Sequence, residues 1–209
     1  MPELATRPQA LEGRPLGRKF YARPVLRVAR DCIGKILVSS SRAGLTAGRI
    51  VEAEAYRGPE DRAAHSWGGR RTARTEVMFG PAGHAYVFFV YGMHWNFNLV
   101  TGRDGEPQAV LIRALEPVFG LELMARRRGI DGLRVELTNG PGKLCQAFDI
   151  GRADYGIDLC RSRLFLLDAP ARHVARSERI GIEYAGAWAR KRWRFFEPSN
   201  PYVSRLRLR

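Results

Sequence analysis

Cysteine is scarce in this chain: Cys32, Cys145 and Cys160 stand alone and far apart. They form no C-x-x-C pair and sit beside no histidine at ligand spacing, which argues against a structural zinc and against a disulfide scaffold. A reduced intracellular compartment is expected. His65, His84, His94 and His173 share no ligand spacing either, so no metal is expected. No apolar run approaches the roughly 18 residues that cross a bilayer, so no membrane span is expected. Met1 to Arg18 lacks an apolar centre, so a signal peptide is not expected. Acidic residues are few as well, with 21 Asp plus Glu against 35 Lys plus Arg.

That imbalance leaves a net charge of +14 and a sequence pI of about 10.6. Such an excess calls for a polyanionic partner, nucleic acid before an anionic membrane. Lysine occurs at Lys19, Lys35, Lys143 and Lys191, and arginine carries the remaining charge. Codon bias explains arginine over lysine as readily as function does, but it does not explain the sign. The 209 residues, 45% of them apolar, suit one domain with a real core.

Residues 1–17, with Pro2, Pro8 and Pro15, read as a flexible arm, and residues 18–209 as the single folded domain. Helical spacing covers Pro24 to Ile33, and Ile36 to Ser39 reads as a strand. Ile50 to Tyr56 is a clearer strand, with Val51, Ala53 and Ala55 alternating against Glu52, Glu54 and Tyr56. Gly58 to Gly83 is a long polar loop, a length usually kept for function. Ala85 to Val100 reads as two strands meeting near Gly92-Met93, and Ala109 to Leu115 as another. Pro117 to Arg128 and Pro141 to Phe148 read as helices, and Arg163 to Asp168 and Ile180 to Tyr184 as late strands. The fold class is α+β: a curved antiparallel sheet flanked by helices.

Three segments carry candidate chemistry. Period-two geometry puts Glu52, Glu54 and Tyr56 on one face. On spacing alone a solvated polar face is the more ordinary explanation. The loop that follows adds His65 and Trp67 among Arg70, Arg71 and Arg74, and a carboxylate in such company suits a general base. In Tyr86 to Trp95 most rings read as core, but Tyr91 precedes Gly92 at a turn, and exposed rings on a basic surface stack on bases or wedge between them. In Trp188 to Phe196, Arg190, Lys191, Arg192 and Arg194 interleave with aromatics and suit phosphate contacts; an edge strand with a charged outer face fits equally well.

Several motifs fail. Gly140-Pro141-Gly142-Lys143 is followed by Leu144, not Ser or Thr, so there is no Walker loop. No H-x-E with P-C-x-x-C occurs, which excludes a zinc base deaminase.

The run Val51-Glu52-Ala53-Glu54-Ala55-Tyr56, continuing through Gly58-Pro59-Glu60-Asp61 and Ala63-Ala64-His65-Ser66, closely resembles the alkyladenine DNA glycosylase family, the mammalian-type 3-methyladenine DNA glycosylases. The likeness continues through Met78-Phe79, Tyr86-Val87, Tyr91-Gly92-Met93, Asn98, Arg113 to Pro117, Gly140 to Ala147 and Ala185 to Lys191. It implies a monofunctional enzyme that flips 3-methyladenine, 7-methylguanine, hypoxanthine or ethenoadenine out of duplex DNA and hydrolyses the N-glycosidic bond with water. Carried over by position, Glu54 would be the general base, with Arg113 supporting it. Tyr56, His65, Phe88 and Asn98 would form the base pocket, the main-chain amide of His65 reading the base edge and Asn98 opposing the amino group of normal guanine. Tyr91 would fill the gap in the duplex. Arg70, Arg74, Lys143, Arg190 and Lys191 would meet the DNA backbone. The family often has tyrosine where this chain has Phe88, which bears on substrate range.

The resemblance implies no cofactor. The expected partner is double-stranded DNA with a damaged purine, not a membrane. A monomer is expected, cytoplasmic and nucleoid-associated if bacterial. A neutral lesion would need an acid, His65 or a water. Two rivals remain: a non-catalytic basic nucleic-acid-binding module, which gives Glu54 no role, and a bifunctional lyase using Lys143 as the amine.

Overall fold

The computed structural model describes residues 11–132 and 134–204. Its centre is an eight-stranded antiparallel sheet: β1 (Ile36–Ser41), β2 (Gly44–Arg57), β3 (Ala85–Val90), β4 (His94–Thr101), β5 (Gln108–Phe119), β6 (Leu164–Leu167), β7 (Ala175–Ser177) and β8 (Arg194–Phe196). The main path runs β3-β4-β5-β2-β1-β6. The long strand β2 has β5 along one edge and two partners in succession on the other, β1 over Gly44 to Arg49 and β8 over Glu52 to Glu54. Four helices accompany the sheet: α1 (Arg18–Tyr21), α2 (Val25–Asp31), α3 (Leu121–Arg128) and α4 (Pro141–Ala147). The fold is α+β, as the alternation of strand and helix patterns indicates.

Period two sorts the strand residues between two cores. Ala53, Ala55, Val87, Phe97, Leu99, Val110 and Ile112 join Val25, Val28 and Ala29 of α2 and Leu144 and Cys145 of α4 in the main core. Their neighbours Tyr86, Val100 and Ala109 turn to the opposite face and pack with Met78 and Phe88 in a smaller cluster. Ala63, Ile182 and Ala185 form another small cluster, with Tyr56 against it. Among the described residues, no helix is long and apolar enough to cross a membrane.

Three irregularities mark the β2–β5 ladder: one skips Val118, between the Ala47–Phe119 and Gly48–Pro117 pairs, and the other two are opposed. Ile50 pairs with Leu115 and Glu52 with Ala114, which skips Val51; Ala53 then pairs with Ile112, which skips Arg113. Bulges of this kind re-aim side chains and cluster beside functional sites.

The β3–β4 connection is a tight turn. Met93 N–H donates to the Val90 carbonyl at 3.2 Å, and Tyr91 and Gly92 have φ of 55° and 65°. Two successive positive φ values give the turn its type I′ character, within a three-residue connection, since Val90 pairs with His94.

The structure differs from the sequence reading at three places. Pro117 to Phe119 continue β5 and the helix begins at Leu121: β4 pairs only with Gln108 to Leu111, and Pro117 pairs with Gly48 of β2 at a register shift, the kind of irregularity that accommodates a strand proline. Ile180 to Tyr184 is not a strand: Glu183 to Trp188 forms a 3-10 turn and the residues before it are irregular. Residues 1–10 of the expected arm lie outside the described residues; of the rest, Leu11 is buried and Leu16 N–H donates to the Leu166 carbonyl at 2.8 Å. An apolar leucine and a free β6 edge hold these residues on the sheet. The loop after β2 contains two short 3-10 turns, Trp67–Gly69 and Glu76–Phe79.

Candidate active site

A cavity of about 310 Å³ opens on the face of the sheet away from the main core. Tyr86 and Phe88 of β3, Asn98 of β4, Arg113 of β5 and Tyr56 of β2 line it, with His65 from the loop after β2. Tyr91 and Tyr184 stand at its rim, 84% and 72% exposed. The volume lies at the lower end of small-molecule sites, and the walls combine aromatic rings with aliphatic side chains and a few polar groups.

Glu54 is fully buried and reaches the cavity through its partners Tyr56, Arg113 and Ile180, which line it. Its Oε2 accepts from the Tyr56 hydroxyl at 2.8 Å and from Arg113 Nη1 at 3.3 Å, and its Oε1 accepts from Ile180 N–H at 2.8 Å. An ionised carboxylate has about four acceptor positions, so these three contacts leave one. Glu52, equally buried, accepts from Arg113 Nε at 2.9 Å, Arg194 Nε at 2.7 Å, Ser204 Oγ at 2.8 Å and Ser204 N–H at 2.7 Å. Two buried carboxylates are thus matched by two buried guanidinium groups, the condition under which such charges are tolerated. Burial would push Glu52 up, but Arg113, Arg194 and Ser204 outweigh it and hold its carboxyl below the usual range. Burial works against the Arg113 cation, yet Glu54 and Glu52 raise its pKa. Burial and then the charge of Glu54 push the Tyr56 hydroxyl well above its ordinary value, which keeps it a donor.

His65 has one edge exposed and packs edge-on against Phe88, ring centroids 4.6 Å apart, with Nδ1 hydrogen-bonded to the Tyr86 hydroxyl at 2.7 Å. Packing against these rings, then the charges of Arg74 and Arg70, push its pKa down to about 4. The imidazole is therefore neutral at pH 7. Asn98 is buried, and its Nδ2 donates to the Tyr86 carbonyl at 2.9 Å, which fixes its amide.

The sequence-predicted pocket residues therefore meet in one place. The basic set does not. Arg70 and Arg74 are exposed in a neighbouring cleft with Trp67 and Tyr184, and the Arg74 guanidinium lies 4.8 Å over the Phe88 ring. Lys143 donates to Asn139 Oδ1 at 2.7 Å in a wider groove on the other side of Arg113. Arg190 and Lys191 are exposed on the turn before β8. Arg194, grouped in sequence with phosphate-contacting residues, instead turns inward onto Glu52.

Sequence reasoning did not foresee the Ile180 N–H on Glu54, the clamp of Arg194 and Ser204 on Glu52, or the buried Arg179–Asp61 pair beside Tyr56. The pairing of a second carboxylate two positions before Glu54 on the same face was the one available signal.

The model of the methylpurine-DNA glycosylase family matches residues 19–201. The chain belongs to that family. A relative in Desulfitobacterium hafniense is 48% identical over 198 residues, spanning 90% of this chain and 98% of its own. One in Methanocella arvoryzae is 50% identical over 192 residues, spanning 91% of this chain and 96% of its own. A third, in Clostridium acetobutylicum, is 42% identical over 199 residues, with 91% and 97% covered. All three carry the provisional name 3-methyladenine DNA glycosylase. The matched span includes both carboxylates, all the pocket residues, Tyr91 and Arg194.

Proposed function

We propose that this family member is a monofunctional 3-methyladenine DNA glycosylase that extrudes a damaged purine from duplex DNA and hydrolyses its glycosidic bond with a water activated by Glu54. One observation carries the reading: the buried Glu54 carboxylate is bonded to Tyr56, Arg113 and the Ile180 N–H, three residues that line the cavity. A base cannot be reached inside a duplex, and extrusion is least costly for damaged pairs. An alkylated purine carries positive charge, which Tyr56, Phe88 and the neutral His65 attract through their ring faces and do not repel. Glu54 would accept the proton of the attacking water, and Arg113 and the Ile180 N–H hold the carboxylate in place for that step. Asn98, its amide fixed on the pocket wall, would oppose the amino group of undamaged guanine. The main-chain amide of His65 would read the base edge.

Tyr91, held outward by the hairpin, would occupy the gap left in the duplex. Arg70, Arg74, Arg190 and Lys191, all exposed, would meet phosphates on the surrounding surface. For a neutral lesion a water is the better acid, because the His65 imidazole carries no proton to spare at pH 7. Lys143 lies in the neighbouring groove with its amine bonded to Asn139 Oδ1, a placement that lends a Schiff-base lyase no support.

The test is base release from duplex oligonucleotides that each hold one lesion, 3-methyladenine, 7-methylguanine, hypoxanthine or ethenoadenine, with wild type beside Glu54→Gln. Release that depends on Glu54 supports the reading, and the ranking of lesions measures the effect of Phe88. Binding without release from any lesion would favour the non-catalytic module.

A further inference from the structure

Glu52 is not used by the reaction proposed above, yet it is the most completely bonded side chain at the site. Its Oε1 accepts from Arg113 of β5, Arg194 of β8 and the Ser204 hydroxyl, and its Oε2 accepts from the Ser204 main-chain N–H. Arg194 in turn donates from Nη2 to the Ser204 carbonyl at 2.9 Å and from Nη1 to Ser177 Oγ at 3.0 Å. Among the described residues, the side chain that joins this cluster to the Glu54 carboxylate is Arg113, which gives Nε to Glu52 and Nη1 to Glu54. Arg113 is also the residue that the β2–β5 ladder skips, so strand pairing leaves its direction to be set by side-chain contacts.

The geometry points to Glu52 as a positioning residue: braced by Arg194 and Ser204, it fixes the guanidinium of Arg113 and divides that group's charge between two carboxylates, leaving Glu54 basic enough to take a proton from water. This rests on Glu54 being the base. A carboxylate alone on Arg113 would be paired too strongly, and a poorer base follows from a better-stabilised anion. Braced by two cations, Glu52 keeps its charge and its share of Arg113. The groups facing Glu54 are Glu52 and Tyr56 on β2, Arg113 on β5, Arg194 opposite it on β8, and the Ile180 N–H with Arg179 from the segment before the 3-10 turn. Asp61, from the loop after β2, is paired with Arg179. Lys143 and Glu136 lie in the groove on the far side of Arg113.

Two substitutions give shifts of opposite sign. Glu52→Gln removes a neighbouring negative charge and returns Arg113 to Glu54, so the acid limb of the single-turnover pH–rate profile should move down by about one unit. Its plateau should fall about 10–100-fold, as expected when a group at the reacting centre is misplaced, with duplex affinity unchanged. Arg194→Gln removes a cation and leaves Arg113 drawn to Glu52, so the acid limb should move up. A purely structural role would lower the rate at every pH without moving either limb, and that result would overturn the inference. Thermal unfolding identifies any variant that fails to fold, and the other then carries the test. Wild type decides the reading beneath it: if wild type releases no base, the proposed activity fails; if it does and the limbs stay fixed, only the role of Glu52 fails.

Discussion

Arg179 and Asp61, 118 positions apart, form a two-pronged ion pair with no solvent exposure on either side chain. Arg179 Nη2 donates to Asp61 Oδ1 at 2.9 Å, and Nη1 donates to Asp61 Oδ2 and to the Ala55 carbonyl. The guanidinium also lies 4.8 Å over the ring of Tyr56. One side chain therefore ties together the loop after β2, the segment that reaches Glu54, and the pocket floor. Removing one member of a buried pair costs about 3–5 kcal/mol because the other charge is left unpaired. Arg179→Met should lower the melting temperature by roughly 6–20 °C, at about 2–4 °C per kcal/mol for a chain of this size. Calorimetry checks it, and a change below about 2 °C would mean that the pair is not needed to hold the two segments.

Glu54→Gln keeps the shape of the side chain and removes its basicity. Base release should fall about 10²–10⁴-fold, the usual contribution of a general base, while binding to lesion-bearing duplex is retained. Single-turnover kinetics and a binding titration on the same oligonucleotide separate the two. An equal loss of both would assign Glu54 to the pocket's structure.

Tyr91→Ala removes an exposed ring and should leave folding within about 0.5 kcal/mol of wild type. Activity should fall more on duplex than on single-stranded substrate, where no stack has to be opened. Equal losses on the two substrates would remove the wedge role.

His65 should titrate near 4 by NMR, well below the ordinary imidazole value. A histidine pKa that falls on folding means the unfolded chain takes up the proton first. The contribution of His65 is therefore complete above about 6.5, the unfolded value, and is lost as the pH drops toward 4. His65→Gln should flatten the acid side of the stability curve over that window. An imidazole titrating above about 6.5 would reverse the sign and restore His65 as a candidate acid for neutral lesions.

Much of the site's inner surface was legible because period two is a local rule. It sorted Glu54 and Tyr56 away from Ala53 and Ala55, and Gly92 marked the turn that carries Tyr91. What was not legible depends on distance along the chain. Arg113 meets Glu52 across 61 positions and Arg194 across 142, and no spacing within a segment announces either contact. The strands β7 and β8 have three residues each, too few to show a period, so Arg194 passed for one more surface charge beside Arg190 and Lys191. Ile180 contributes a main-chain N–H, which is independent of side-chain identity and so leaves no mark in the sequence. Asp61 was visible only as part of a family motif; its partner Arg179 was not visible at all.

The type I′ turn at Tyr91 and Gly92 sets stability against repair. Asparagine is favoured at the first of these two positions because its short polar side chain tolerates a left-handed backbone, whereas a tyrosine there costs roughly 1–2 kcal/mol. Tyr91→Asn should therefore yield a more heat-resistant protein, measurable as a rise in melting temperature, that has lost the ring proposed to enter DNA. Selection on thermal tolerance or expression alone would favour that change and carry the chain toward a well-folded protein that mends DNA poorly. In such a screen the damage would be recorded as an improvement.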